Sequence, residues 1–134
     1  MRGACHCGRV TIEVPSAPAE MIVCNCSQCW QRGALWAYYP ASRIAVEGSL
    51  AQYRRADIEV HLATDFCPSC GITVGWTPAR ASMADRAGVN MRLFAPSELH
   101  GIAIRYVDGR HDDDGDRRDP LRAPTRFDAS LGIA

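Results

Sequence analysis

Apolar and polar side chains alternate one for one through most of this chain. Val10, Ile12 and Val14 interleave with Thr11 and Glu13, and Ile102, Ile104 and Tyr106 interleave with Ala103 and Arg105. A period of two marks a strand with one buried face. Further short strands are predicted at 21–24, 35–39, 43–46, 58–62, 72–76 and 89–94, divided by turn signals such as Pro40, Gly48 and Pro78. Helical periodicity is nowhere sustained, so helix is confined to a short turn after Cys29 and another over 96–99. The pattern predicts a mainly β, compact domain with loops where the cysteines fall.

At 134 residues the chain has room for one domain with a modest core. The alternation stops near residue 109. The stretch GRHDDDGDRRDPLRAPTR is dense in charge and nearly free of apolar side chains, too little to offset its ordering entropy. The expected organisation is therefore a domain over 1–108 and a charged tail over 109–134, mobile or loosely docked through Phe127, Leu131 and Ile133. Fifteen basic and fifteen acidic side chains leave no net charge to draw the protein to a phosphate backbone, so no nucleic-acid partner is expected. All the basic residues are arginine, which excludes a lysine Schiff base with a carbonyl substrate. No apolar run reads as a signal peptide or a membrane span, and the expected setting is cytoplasmic, with no membrane partner.

Seven cysteines change the picture most. They fall in three tight clusters, Cys5-x-Cys7, Cys24-x-Cys26-x-x-Cys29 and Cys67-x-x-Cys70. Thiols this close pair poorly with each other but can turn inward on one ion, and in a reducing compartment they stay available for metal. Zinc takes four ligands in a closed structural site and three in a catalytic one, so seven thiolates divide as four plus three. The two outer knuckles, each followed by a glycine (Gly8, Gly71), suit a structural zinc held by Cys5, Cys7, Cys67 and Cys70. The middle loop suits a second, labile or catalytic zinc held by Cys24, Cys26 and Cys29. Its alternative is a second closed site with a distant fourth ligand, for which His61 and His100 are the candidates. An iron–sulfur cluster lacks the usual four-cysteine run, and a dithiol redox role for Cys67 and Cys70 lacks the strand–helix context.

The order G-x-C-x-C-G-x-V over 3–10, then CNCSQC with Gly33, Leu35 and Trp36 after it, then F-C-x-x-C-G over 66–71, resembles the glutathione-dependent formaldehyde-activating enzyme family, which shares its domain with the centromere protein V group. The resemblance covers roughly residues 3–108. It implies a mainly β fold similar to the Mss4-like zinc-binding fold, and the same four-plus-three division of the thiolates. One departure is visible: Asn25 stands where the family often has histidine, which bears on tuning of the middle site.

The activity that the resemblance implies is a carbon–sulfur lyase of the S-(hydroxymethyl)glutathione synthase type, joining a small thiol to a small electrophile, glutathione to formaldehyde. Glutathione carries two carboxylates, which guanidinium forks suit, so Arg32 and Arg92, the latter in a predicted strand, are candidate clamps. Trp36, Tyr38 and Tyr39 are candidate walls of the pocket. Each of these also reads as an ordinary surface arginine or core aromatic. The reading from another class is a non-catalytic zinc module that binds glutathione or a protein partner. The sequence carries no signal of oligomeric state.

Overall fold

The computed structural model describes residues 1–56, 62–79, 85–110 and 122–131. Among these residues eleven strands and two short helices follow one another as β1 (Arg2–Ala4), β2 (Thr11–Glu13), β3 (Glu20–Cys24), α1 (Ser27–Arg32), β4 (Trp36–Tyr39), β5 (Ala45–Glu47), β6 (Ala51–Tyr53), β7 (Leu62–Phe66), β8 (Thr73–Pro78), β9 (Ala87–Asn90), α2 (Pro96–Leu99), β10 (Ala103–Val107) and β11 (Thr125–Arg126). The fold is mainly β. Three strands form a small sheet in the order β1-β2-β5, and eight form a large one in the order β11-β10-β3-β4-β9-β8-β7-β6. All pairs are antiparallel except β10 with β3. No helix among the described residues is long and apolar enough to cross a membrane.

The period of two sorts the side chains of the large sheet onto two faces. Met21 on β3, Ala37 and Tyr39 on β4, Val74, Val89 and Ile104 join Val10, Ile12 and Val14 in the main core between the sheets. The intervening positions Ile22, Cys24, Trp36 and Val107 form a second, smaller apolar cluster with Ala34. Cys5 and Cys67 belong to the main core, and Cys24 belongs to the smaller cluster. One sheet thus separates the surroundings of the two cysteine groups.

Several elements differ from the sequence pattern for local reasons. The strand expected at 43–46 is a 3-10 turn over Ala41–Arg43 followed by β5, because Arg43 N–H donates to Pro40 O at 2.9 Å. The strand expected at 89–94 ends at Asn90, whose side chain accepts the Arg92 N–H and starts a 3-10 turn over Met91–Leu93. Arg92 is therefore on a turn and not on a strand. Of the strand expected at 58–62, residues 58–61 lie outside the described residues, while β7 begins at Leu62 and continues to Phe66. At the C-terminal end Thr125–Arg126 pairs with β10, and Phe127 is buried in the main core. Leu131, expected as an anchor, is instead 65% exposed, and Ile133 lies outside the described residues.

Candidate metal centres

The first knuckle is a tight return between β1 and β2. Cys5 N–H donates to Val10 O and Gly8 N–H to Cys5 O, both at 2.9 Å, and Val10 N–H donates to Cys5 Sγ at 3.3 Å. The return between β7 and β8 repeats the plan, with Cys67 N–H on Ile72 O at 2.9 Å and Gly71 N–H on Cys67 O at 2.8 Å. Gly8 and Gly71 hold φ values of 74° and 73°, a left-handed turn that a β-carbon opposes. Cys5, Cys7, Cys67 and Cys70 bring their four sulfurs within 4.8 Å of one another. Cys5 to Cys7 is 3.6 Å and Cys7 to Cys67 is 3.7 Å. Tetrahedral zinc with bonds of about 2.3 Å sets its sulfurs about 3.8 Å apart, so this donor set fits the ion. The N–H of Ile72 pulls the Cys70 thiol down to about 6. Cys7, despite the N–H of Arg9, is pushed up to about 11 by desolvation and the surrounding sulfurs.

The second group sits where β3 hands over to α1. Cys24 ends the strand, Cys26 caps the helix, and Cys29 lies one turn along it. Cys26 keeps extended backbone, φ −60° and ψ 157°, and its sulfur accepts the Cys29 N–H at 3.5 Å, so a thiol fills the place usually taken by a hydroxyl or carboxylate. The helix stops at Gly33, which turns left-handed and returns its N–H to Trp30 O at 3.2 Å. The three sulfurs lie within 4.8 Å of one another, with Cys24 buried and Cys26 and Cys29 half-buried. The thiols of Cys24 and Cys29, then nearby backbone N–H groups, pull Cys26 down to about 2. Cys24 is pushed up, first by Cys26, and Cys29 is pushed up by Cys24 and Cys26. Three thiols crowded this closely suit a dication that would displace their protons.

No fourth histidine, cysteine or carboxylate joins this group among the described residues. His100, a candidate for that position, follows α2, and its Nδ1 accepts the Ala129 N–H at 3.3 Å. His61 lies outside the described residues. Asn25, between two of the sulfurs, ties the loop to the end of β10: its Nδ2 donates to Asp108 Oδ1 at 2.9 Å, and its Oδ1 accepts the Arg110 N–H at 3.1 Å.

Trp36 lies under the helix at 3% exposure, and its indole Nε1–H donates to Cys29 Sγ at 3.2 Å. Tyr38, on the same face of β4, packs edge-on against Trp76 at 5.7 Å, with the Arg86 guanidinium 4.1 Å from its ring centre. Tyr39 points the other way, into the main core, and donates to Ser16 O at 3.0 Å. Arg92 Nε donates to Gly33 O at 2.6 Å, bracing the end of α1. Arg32 donates to Gln28 O at 3.1 Å and lies 5.3 Å over the Tyr53 ring.

Arg32 also borders an open groove of about 770 Å³ between α1 and the large sheet, with Gln28, Tyr53, Arg55, Phe66 and Thr73 as further walls. Tyr53 and Arg55 were not legible as site residues. They reach the groove through β6, whose pairing with β7 brings them beside a helix more than twenty residues earlier in the chain, and no local motif marks that approach.

A family model described as glutathione-dependent formaldehyde-activating enzyme matches residues 1–105. A crystal structure of a Rhodobacter sphaeroides protein, a structural genomics target, is similar at 34% identity with a TM-score of 0.59. The match covers 70% of this chain and 87% of that one.

Proposed function

This chain belongs to the glutathione-dependent formaldehyde-activating enzyme family, and from that premise we propose that it adds a low-molecular-weight thiol, glutathione or a close analogue, to formaldehyde or a similarly small electrophile. The reaction class is carbon–sulfur lyase, run in the direction of addition. The observation that carries the reading is the convergence of Cys24, Cys26 and Cys29 with no fourth protein donor among the described residues. Those three would hold one zinc, and Cys5, Cys7, Cys67 and Cys70 another. Zinc held by the three would lower the pKa of an incoming thiol and keep its sulfur beside the carbonyl. Thiolate donors favour a soft sulfur over water as the remaining ligand.

The addition is redox-neutral: a sulfur–carbon bond forms, the carbonyl π bond breaks, and the thiol proton ends on the former carbonyl oxygen. Nothing in it needs the lysine that the chain lacks. The carboxylates of glutathione match Arg32 and Arg55 in the groove, with Tyr53 and Gln28 as further partners. No cysteine lines the groove, but α1 carries Arg32 and Cys29 and is capped by Cys26, so a thiol anchored at Arg32 would be held to the same short helix as the sulfurs, and its benefit would be proximity. Arg92 fixes the C-terminal end of that helix through Gly33.

The test combines a metal count with a rate. We expect two zinc ions per chain, and hemithioacetal formation from formaldehyde and glutathione faster than the spontaneous reaction. Cys26→Ala should lose one zinc and the whole acceleration while keeping its fold. Wild-type protein that binds glutathione but gives no acceleration would replace this reading with that of a binding module.

A further inference from the structure

Trp36 is almost wholly buried, and the one polar atom of its indole ends on Cys29 Sγ at 3.2 Å. A buried indole N–H needs an acceptor, and a thiolate is a far better one than a thiol. Held by zinc, Cys29 would be the anionic sulfur that this N–H suits. Two other sulfur acceptors serve as a contrast. Cys5 receives the Val10 N–H at 3.3 Å and Cys26 the Cys29 N–H at 3.5 Å, both backbone donors that the knuckle and the helix cap supply by themselves. At Cys29, on α1, the donor is a large side chain brought from β4.

A site that presents a carbonyl electrophile to thiolates faces an internal competitor. Cys29 sulfur can itself add to the carbonyl carbon: the sulfur–carbon bond forms, the carbonyl π bond breaks, the oxygen takes a proton from water, and a metal ligand is lost as a hemithioacetal. Nucleophilicity of a thiolate follows the charge on sulfur, and a hydrogen bond draws on that charge. We propose that Trp36 is a positioning residue that keeps Cys29 a ligand and not a nucleophile, so that the substrate thiol, and not a protein thiolate, attacks the electrophile. The purpose rests on the thiol-addition reading above, but the effect on Cys29 is measurable without turnover.

Zinc-loaded wild type and Trp36→Phe are treated with iodoacetamide, and labelling of each cysteine is followed by mass spectrometry. In the wild type Cys29 should label more slowly than Cys26, which is comparably exposed. Trp36→Phe keeps the ring and removes the donor, and should speed Cys29 relative to Cys26 by about tenfold, the scale of one hydrogen bond to a charged acceptor. In cobalt-loaded protein the sulfur-to-metal charge-transfer band should move to lower energy. An unchanged ratio, or an equal rise at both cysteines from general loosening, overturns the proposal. If Trp36→Phe fails to hold zinc, the wild-type order decides, and Cys29 labelling first overturns it. A changed ratio in a protein that gives no acceleration with formaldehyde and glutathione supports the hydrogen-bond role and counts against the lyase reading alone.

Discussion

Cys5 and Cys7 meet Cys67 and Cys70 across some sixty residues of chain, whereas Cys24, Cys26 and Cys29 gather within one strand–helix junction. Both groups hold their sulfurs within the same 4.8 Å, so compactness does not separate them. What differs is what each closure does to the rest of the chain. The first joins the β1–β2 return to the β7–β8 return and lies against the main core, so a metal there closes a long loop that the unfolded chain leaves open. The second closes a handful of residues beside the smaller cluster and contributes little to holding distant segments together. On the proposed function, the same donor atom would serve the fold in one place and chemistry in the other.

The largest effect should come from breaking the long closure. Cys67 is fully buried, and structural zinc supplies on the order of 10 kcal/mol of apparent binding energy, as much as a domain of this size has in total stability. Cys67→Ala should therefore unfold or aggregate, as read by circular dichroism. A folded variant with two zinc ions would erase the distinction between the sites. The matching change in the short closure, Cys29→Ala, should keep the circular dichroism spectrum and lose one zinc.

A finer comparison uses two glycines of equal strain. Gly71 and Gly33 have φ of 73° and 58°, and a β-carbon added at either meets no atom within 4 Å, so alanine costs only the left-handed backbone, about 1–2 kcal/mol. Both variants should show similar drops in Tm. Gly71→Ala should hasten release to a chelator of the zinc proposed at Cys67 and Cys70, and Gly33→Ala that of the zinc proposed at Cys26 and Cys29, because Gly33 ends the helix that Cys26 caps and Cys29 lies on. Release of the same ion in both variants would show that the two closures are coupled.

Much of this division was legible in the sequence, for physical reasons that stop at identifiable places. Cysteine spacing alone separated the sulfurs into the two groups that converge, because knuckles and caps are local structures. Strands with strict alternation, such as β2 and β10, were visible, whereas β7, with Thr64 and Asp65 inside it, was not, since its buried polar residues are satisfied by long-range partners such as Gln28 and Gln52. Aromatic and arginine roles were the least legible. Trp36 was read as a wall of a pocket, and its donation to Cys29 depends on β4 lying beneath α1, which no spacing announces. Arg92 likewise bonds a backbone carbonyl that is brought near only by the fold.

The smallest effect lies on the other face of β4, away from Cys24, Cys26 and Cys29. Tyr39 is buried and donates to Ser16 O, and burial pushes its phenol up to about 12 from an ordinary value of 10.0. The folded protein keeps a proton that the unfolded chain gives up first, so between those two values the native state binds more protons and stability falls as pH rises. Tyr39→Phe removes that dependence and one hydrogen bond worth about 1 kcal/mol. Near pH 8 the variant should be slightly less stable than the wild type, and the gap should close as the pH climbs through the window. Both zinc ions should stay in place. Urea midpoints measured across the range decide the matter: a constant gap would mean that the phenol titrates alike in both states, and loss of the metal held by Cys24, Cys26 and Cys29 would mean that the core face of β4 and the sulfur face are not independent.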